Sequence, residues 1–274
     1  MRVETPASST VKHSDGLGLQ CGAMRFAKLH GLGNDFVLLD LRTGGVALPR
    51  EQAIALCDRH RGIGADGVLT LLAGDRMLVQ NSDGSVPEMC GNGARCAALW
   101  MVTDGCTRPG SGSLVLQTDA GPRPCIVTAS EPRRGLVEVD MGVAELSAPR
   151  RVGAFEALPV SMGNPHRVIF GDPSLAAREG PALCLAETAN IEFVARLGPA
   201  RYEVGVFERG AGLTQACGTG ACAVAAAVVS RGEASRGSPI SVRLPGGELT
   251  LTVDADNRVR MRGPAELVFT GELP

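Results

Sequence analysis

Aromatic residues are scarce in this chain of 274 residues, which contains one Trp, one Tyr and seven Phe. Basic residues are not in excess either, because 27 Lys and Arg are balanced by 29 Asp and Glu, for a formal net charge of −2. Nucleic-acid binding by base stacking or by a basic patch therefore has no support in the sequence. Long apolar runs are missing as well, so we expect an ordinary soluble globular protein without a membrane span.

The nine cysteines do not form a metal-binding pattern. The separations Cys90 to Cys96 and Cys217 to Cys222 differ from those of zinc sites, and no pair of histidines supports one. An odd number of cysteines in a chain without an export signal is typical of the reducing cytoplasm. Residues 1–23 are polar and non-periodic, so we predict a disordered extension that is neither a signal nor a transit peptide.

The most informative feature of the sequence is a pair of stretches that mirror each other. One reads Cys90-Gly-Asn-Gly-Ala and the other Cys217-Gly-Thr-Gly-Ala, and the two cysteines lie 127 positions apart. Asn81 and Glu208 precede the two cysteines by nine residues each. A third pair, the turns Gly33-Asn34 and Gly163-Asn164, follows the same order in the two halves. Together the three pairs indicate an internal duplication.

Each Gly-x-Gly leads into an apolar segment, Ala94–Val102 in the first half and Ala221–Val229 in the second. Both segments are rich in good helix formers and lack a polar stripe, so each is predicted to be a helix that is buried on all sides. A helix start combines free N–H groups with the positive end of the helix dipole, which makes it an anion site. We expect a lowered pKa for a cysteine at such a position.

Pseudo-twofold symmetry would place Cys90 and Cys217 on opposite sides of one bound anion. One thiolate could then remove the α-proton of an amino acid while the opposing thiol delivers a proton to the other face. The helix starts would stabilise the charge that develops on the carboxylate, and no metal or organic cofactor is required. The remaining cysteines without a motif are interpreted as core residues: Cys57, Cys96, Cys106, Cys125, Cys184 and Cys222.

Predicted strands surround both central helices. We expect a loop or short helix from Asp172, and two closing strands at Val259–Arg262 and Leu267–Thr270. Because the strands are grouped around single helices rather than alternating with them, the predicted fold class is α+β. Two pseudo-symmetric domains, each a strand-rich antiparallel sheet wrapped round a central buried helix, would leave the active site in the cleft between them.

Polar residues at strand–loop junctions are further candidates. Asn favours turns in any protein, but Asn34 and Asn164 occupy equivalent positions in the two Gly-Asn turns, which favours a functional role. The pair Glu208-Arg209 could be a solvated ion pair. Its position nine residues before a candidate thiolate favours a cleft instead, where Arg209 could hold a carboxylate at two points. A lone histidine such as His166 is more often a satisfied loop residue.

As a set, these motifs closely resemble the diaminopimelate epimerase family. The resemblance runs from about Met24 to the C-terminus and is carried by His30–Phe36, Glu88–Arg95, Met162–His166, and Glu208–Gly212 with Ala216–Ala221. It implies a cofactor-independent isomerase that interconverts LL- and meso-diaminopimelate for lysine and peptidoglycan synthesis. With a C-terminal strand that returns to the first domain, it also implies domains at 24–140 plus 263–274 and at 141–262.

The resemblance implies a role for each matched residue. Cys90 and Cys217 would be the catalytic thiols, and His166 and Glu208 would tune them. Phe269 would lie in a homodimer interface. The backbone N–H groups of two helix starts would bind the α-carboxylate: Gly91-Asn92 and Gly218-Thr219. The other matched residues would bind the substrate, chiefly at its distal amino-acid end: Asn34, Asn81, Asn164, Asn190 and Arg209. Glu208 would contact the substrate as well.

Two positions depart from the family pattern and bear on substrate specificity. Gly67 stands where the family often has Gln, and Leu213-Thr214 stands where it usually has Glu-Thr. A racemase of another amino acid on the same fold, such as proline or hydroxyproline, is one alternative, although those enzymes lack the Glu208–Gly212 element. A thiol redox sensor is a second alternative, from a different class, but it would not need the Asn residues of the turns or Arg209.

Overall fold

The computed structural model describes residues 24–87 and 89–273, and the predicted extension at 1–23 lies outside them. The first half contains β1 (Met24–Gly31), β2 (Asn34–Asp40), α1 (Arg50–Cys57), β3 (Gly67–Leu72), β4 (Arg76–Asn81), α2 (Gly91–Val102), β5 (Gly110–Thr118), β6 (Gly121–Glu131) and β7 (Arg134–Val143). The second half contains β8 (Glu145–Leu146), β9 (Arg150–Val152), β10 (Phe155–Ser161), β11 (Pro165–Phe170), α3 (Leu175–Glu187), β12 (Asn190–Gly198), β13 (Arg201–Glu208), β14 (Gly212–Leu213), α4 (Gly218–Ser230), β15 (Ile240–Leu244), β16 (Gly247–Val253) and β17 (Arg258–Leu273).

The two halves repeat one topology. A hairpin, β1–β2 or β10–β11, is followed by a helix and by a strand that pairs in parallel with the second hairpin strand. An antiparallel neighbour, β4 or β13, then leads into the central helix α2 or α4. The next strand pairs in parallel with that neighbour, and antiparallel strands complete the half. The duplication predicted from the sequence is therefore present in the fold.

The central helices are buried as predicted, except at the end of α2, where Trp100, Met101 and Val102 are partly exposed. Every residue of α2 from Gly91 to Leu99 is buried, as is every residue of α4 from Gly218 to Val229. Their small side chains let the strands approach closely on several sides, and burial of apolar surface, at about 25 cal/mol per Å², is the main source of stability for such a core. Strand-rich halves wrapped round buried helices confirm the α+β class.

The segment after Asp172 differs from the prediction. It forms a full helix of 13 residues, α3, although Pro181 lies inside it. The buried positions of α3 are Ala176, Gly180, Leu183 and Cys184, a spacing that presents one apolar face to β12 and β13. Packing of that face outweighs the backbone hydrogen bond that a proline removes.

The two predicted closing strands are a single strand of 16 residues, β17. Gly263-Pro264 interrupts the apolar alternation in the sequence, yet Pro264 stays in register with Leu136 of β7. β17 joins the halves, because it pairs with β16 of the second half and with β7 and β1 of the first. The domain boundaries, 24–140 plus 263–274 and 141–262, stay a prediction. Within the described residues, no helix is long and apolar enough to cross a membrane.

Candidate active site

Cys90 and Cys217 are the N-cap residues of the two central helices. Both have extended backbone angles, with φ and ψ of −134° and 100° at Cys90 and of −107° and 107° at Cys217. Each sulfur accepts a hydrogen bond of 3.3 Å from the backbone N–H three residues further on, that of Gly93 or Gly220. An N-cap side chain satisfies one of the free N–H groups of the first helical turn. Both thiols are thus held at helix starts, as the sequence predicts.

The two helix starts lie against each other. A Cβ built on Gly218 would lie 3.6 Å from the Cα of Gly91. Glycine at the first position of both helices permits this approach of backbone to backbone. Asn92 bridges the halves, because its Nδ2 donates to the carbonyl oxygen of Ala216 at 2.9 Å and to Oδ1 of Asn34 at 3.0 Å. Both helix N-termini therefore border the same cleft.

This cleft has a volume of about 710 Å³, within the usual range for a small-molecule site. It brings together nearly all of the residues that the sequence predicts for substrate binding and catalysis. The first half contributes Asn34, Asn81, Cys90, Gly91 and Asn92. The second half contributes Asn164, Asn190, Glu208, Arg209, Cys217, Gly218 and Thr219.

Two predicted residues lie elsewhere. His166 is completely buried behind the cleft, where Nδ1 of its ring lies 2.6 Å from Oε1 of Glu192 and Nε2 lies 3.0 Å from Oδ1 of Asn164. Phe269 lies on β17 with 43% of its surface exposed, and its ring packs edge-on against Phe26. Phe269 therefore belongs to the outer surface beside β1, and its place in a homodimer interface stays a prediction.

The expectation of lowered thiol pKa values is wrong for this structure. Burial raises the pKa of Cys90 to about 11, although the N–H of Gly93 acts in the opposite direction. Burial also raises the pKa of Cys217 well above its usual value, and the nearby charge of Glu208 raises it further. Loss of water disfavours the charged form of a thiol, and here it outweighs the helix start. Both side chains are therefore neutral thiols at neutral pH in this structure.

Glu208 is placed to accept a proton from Cys217. Burial raises the pKa of the Glu208 carboxyl, while hydrogen bonds from the Thr214 hydroxyl and the Cys217 thiol lower it, and the net shift is upward. A carboxylate with a raised pKa is a stronger base, and a base in contact with a thiol can form the thiolate by proton transfer. Glu208 can thus supply the activation that the helix start alone does not.

The two departures from the family pattern have different structural consequences. A Cβ on Gly67 would lie 2.6 Å from the carbonyl oxygen of Gln80, so the backbone leaves no room for a side chain there. Leu213 lines the cleft with 58% of its surface exposed. The cleft therefore presents an apolar side chain where the family usually has Glu, whereas Thr214 beside it keeps a polar contact with Glu208.

The amide of Asn34 is fixed at both ends. Its Oδ1 accepts from Asn92, and its Nδ2 donates to Oδ2 of Asp66 at 3.0 Å. The Arg59 guanidinium bridges Asp66 and Asp35, at 2.8 Å from one oxygen of each. This ion-pair network fixes the orientation of the Asn34 amide, which lines the cleft.

Two buried charged residues at the site were not identified from the sequence. Arg95 and Glu192 have no exposed surface. The Arg95 guanidinium donates to Oδ1 of Asn92 at 3.0 Å and to the carbonyl oxygen of Pro264 at 3.1 Å. A charged residue inside an otherwise apolar helix or strand is the signal that indicates both, because Arg and Glu are rarely buried completely without a partner.

Comparison with known proteins agrees with this geometry. The diaminopimelate epimerase family model matches residues 26–147 and 158–268, one segment in each half. The chain is 42% identical to the diaminopimelate epimerase of Nostoc punctiforme, over 92% of this chain and 100% of that protein.

Solved structures share the fold at much lower sequence identity. A predicted epimerase from Pseudomonas aeruginosa is 18% identical, with a TM-score of 0.73 over 91% of this chain and 99% of that one. A hydroxyproline epimerase from Agrobacterium vitis is 15% identical, with a TM-score of 0.68 over 92% and 91%. The chain shares its two-domain fold with these structures, whereas the family model and the Nostoc relative match its sequence. The chain belongs to the diaminopimelate epimerase family and is an isomerase.

Proposed function

We propose that the protein interconverts LL- and meso-2,6-diaminopimelate by a two-base mechanism that uses no cofactor. The observation that carries the proposal is the contact between Gly91 and Gly218, which brings the N-caps Cys90 and Cys217 to one cleft. Inversion at a carbon needs a base on one face and an acid on the other. Two thiols at two opposed helix starts meet that requirement with one type of side chain.

The proposed reaction conserves protons. The thiolate of one cysteine takes the α-proton, so that an S–H bond forms as the C–H bond breaks, and the electron pair delocalises into the α-carboxylate. The thiol of the other cysteine then gives its proton to the opposite face of the carbon. Backbone N–H groups at Gly91-Asn92 and Gly218-Thr219 stabilise the charge on the carboxylate. The cysteines exchange roles when the reaction runs in the other direction.

Glu208 and His166 tune the thiols in this proposal. Glu208 accepts the Cys217 proton through the hydrogen bond between them, which compensates for the cost of forming a thiolate in a buried place. Once the substrate is bound, the positive charge of its α-ammonium group lies beside the thiolate and favours it further.

The distal amino-acid end of the substrate is assigned to polar cleft residues that lie outside the two central helices. Arg209 is exposed in the cleft, and its backbone N–H is held at 2.8 Å by Oδ1 of Asn190. Its guanidinium suits a second carboxylate, and the other binding residues offer amides to the second ammonium: Asn34, Asn81 and Asn164. Binding at the distant end orients the reacting carbon. A substrate with one amino-acid end lacks these contacts.

Solvent exchange tests the proposal. Incubated with LL-diaminopimelate in D2O, the protein should yield meso-diaminopimelate with deuterium at the inverted carbon, whereas alanine, lysine and proline should not exchange. Comparable racemisation of a monocarboxylic amino acid would overturn the assignment in favour of another racemase. Absence of exchange with every amino acid, together with reversible oxidation of the two cysteines, would favour the redox sensor.

The biological setting follows from the proposed substrate. Diaminopimelate is a precursor of lysine and a component of peptidoglycan, so we assign the protein to those biosynthetic pathways in the cytoplasm. We also propose a homodimer, with the half-exposed ring of Phe269 in the interface. Sedimentation of the wild type and of Phe269→Asp tests this assembly, since an interface aromatic replaced by a charge should give a monomer.

A further inference from the structure

The two half-sites differ at one buried pair of positions. In the first half, Phe36 of β2 pairs with Gly67 of β3, and in the second half His166 of β11 pairs with Asn190 of β12. Because the two halves repeat one topology, His166 occupies the place that Phe36 has in the other half. An imidazole therefore stands where the repeat has a hydrocarbon ring.

Glu192, the hydrogen-bond partner of His166, also has an apolar counterpart in the first half. Glu192 lies two residues beyond the start of β12, and Leu69 lies two residues beyond the start of β3. A Cβ on Gly93 would lie 2.8 Å from Leu69 Cδ2, and one on Gly220 would lie 2.8 Å from Glu192 Oε1. Leu69 and Glu192 thus pack against equivalent glycines of the two central helices, and both are completely buried.

The fold does not need the polar pair at this place, since the same architecture accepts an apolar pair in its first half. Replacing a buried ion pair with well-packed hydrocarbon is often neutral or stabilising. A function is therefore the better explanation for the presence of His166 and Glu192.

Hydrogen bonds connect this pair to a catalytic thiol. Glu192 Oε1 lies 2.6 Å from His166 Nδ1, and His166 Nε2 lies 3.0 Å from Asn164 Oδ1. Asn164 Nδ2 donates to Thr219 Oγ1 at 3.3 Å, and Thr219 Oγ1 lies 3.6 Å from Cys217 Sγ. The chain of contacts runs without a gap from the buried carboxyl to the sulfur.

The direction of this chain follows from its acceptors. The Asn164 oxygen can only accept, so His166 Nε2 must carry a hydrogen. Nδ1 faces a carboxyl oxygen, so a second hydrogen lies between these two atoms. The Thr219 hydroxyl accepts from Asn164 and keeps its own hydrogen for Cys217. The pair thus holds two protons and has no net charge.

A second observation agrees with a neutral pair. Oε2 of Glu192 is buried and has no hydrogen-bond partner among residues 24–87 and 89–273. A carboxylate with a full charge would leave that oxygen unsolvated at high cost. Glu208, Cys217 and Cys184 also lie near Glu192, and none of these three groups can supply a positive charge to offset a carboxylate there.

We propose that Glu192 is a positioning residue that keeps a hydrogen on His166 Nε2 and so directs the whole chain of hydrogen bonds towards the Cys217 sulfur. With this direction, Thr219 donates to the sulfur and stabilises the thiolate. With only one proton on the pair, His166 Nε2 would accept from Asn164, the chain would reverse, and Thr219 would accept from the thiol instead. The catalytic consequence rests on the proposed function, whereas the proton positions do not.

The first test needs no substrate. In ¹⁵N-histidine-labelled protein at pH 8, above the ordinary imidazole pKa of about 6.5, the Nε2 of His166 should carry a hydrogen. The signal is assigned by its loss in His166→Phe. A bare Nε2 with a hydrogen on Nδ1 alone would overturn the proposal, whatever reaction the protein catalyses.

The second test installs the first-half residues in the second half. The double variant His166→Phe with Glu192→Leu should unfold at a temperature no lower than the wild type. In ¹³Cβ-cysteine-labelled protein the ionisation midpoint of Cys217 should rise. The reason is that the hydrogen bond from Thr219 to the sulfur is no longer oriented, whereas the removed pair carries no net charge. The midpoint of Cys90 should not change. Epimerisation should fall about 10- to 100-fold, the range for loss of a hydrogen bond to a charged group.

A fall in the ionisation midpoint of Cys217 in the double variant would contradict the proposal. If the pair held one proton, the double variant would remove a negative charge and Cys217 would ionise more easily. A double variant that fails to fold would contradict the claim that the fold does not need the pair. Asp140→Asn, which removes a carboxylate paired with Arg258 away from the cleft, is the control and should keep the wild-type Cys217 midpoint and epimerisation rate.

Discussion

Nδ2 of Asn92 donates a hydrogen bond of 2.9 Å to the carbonyl oxygen of Ala216, the residue that precedes Cys217. This contact joins the first helix start to the second, and the same Nδ2 also donates to Asn34. The separation of the two thiols is therefore held by hydrogen bonds between the halves as well as by the packing of Gly91 against Gly218. A reaction that needs an acid and a base at a set distance depends on such a constraint.

Arg95 donates a hydrogen bond to the same Asn92 side chain. Its replacement should therefore reduce activity more than stability. Arg95→Met keeps the length of the side chain but removes the donor to Asn92 Oδ1 and the positive charge that lowers the pKa of Cys90. We expect kcat to fall about tenfold, as for loss of a hydrogen bond with a charged partner. The acid limb of the rate profile should move to higher pH, because the thiolate of Cys90 becomes harder to form.

A matched control for Arg95 is available in the same half. Arg123 is also an arginine whose pKa is lowered by burial, but it lies on β6 and does not line the cleft. Arg123→Met should leave both kcat and the rate profile unchanged. Equal losses in the two variants would show that Arg95 has only a structural role.

Glu208 should have two opposite effects on the thiols. Its charge raises the pKa of both Cys90 and Cys217, so Glu208→Gln should lower the ionisation midpoints seen in ¹³Cβ-cysteine spectra. The variant should nevertheless lose about 100-fold or more in kcat, since the acceptor of the Cys217 proton is gone. Glu203→Gln on the same strand is the control, with unchanged midpoints and rate. A Glu208→Gln protein with normal activity would show that the carboxylate does not take part in proton transfer.

The ion pair behind Asn34 should make a pH-dependent contribution to stability. Burial alone would raise the pKa of Asp35, but hydrogen bonds from Arg59 and Lys28 lower it by more, and the net shift is downward. Lys28 lies 2.6 Å from Asp35 and is buried. Asp35→Asn should therefore lower the free energy of unfolding at pH 7 by about 3 kcal/mol, because it leaves a buried cation unpaired.

This contribution is present above the unfolded-state pKa of Asp, about 3.9, and is lost as the pH falls towards the lower folded-state value. In urea unfolding, the difference between wild type and Asp35→Asn should thus shrink as the pH is lowered from 7 towards 3. A difference that stays constant over this range would mean that the ionised carboxylate is not what stabilises the fold.

The sequence predicted the parts of the site that the repeat makes visible. The Gly-x-Gly motif after a cysteine recurs in both halves, together with the strand pattern around it. The buried helices and the shared cleft could therefore be inferred from the sequence alone. Residues that exist in one half only could not be inferred in this way. Glu192 has Leu69 as its counterpart, and its meaning depends on a contact with His166 from a neighbouring strand.

The thiol pKa values show a different limit of sequence reasoning. A helix start is a local feature and can be read from neighbouring residues, whereas desolvation depends on everything that packs around the sulfur. Cys217 is only 3% exposed, and burial decides the direction of its shift. Likewise, α3 contains Pro181, which locally disfavours a helix, and only the packing of its apolar face against β12 and β13 explains why it forms.

Isotope exchange in single variants of the two cysteines is the decisive experiment for the two-thiol mechanism. LL- and meso-diaminopimelate are incubated separately in D2O with Cys90→Ala, Cys217→Ala, Cys90→Ser and Cys217→Ser, and deuterium uptake and isomer composition are both measured. Neither Ala variant should epimerise the substrate, since no proton reaches the far face. A hydroxyl is a far weaker base than a thiolate, so each Ser variant should exchange the α-proton through its remaining thiol only. The two Ser variants should therefore prefer opposite stereoisomers. Epimerisation at near wild-type rate by either Ala variant would mean that the two-thiol mechanism is wrong for this protein.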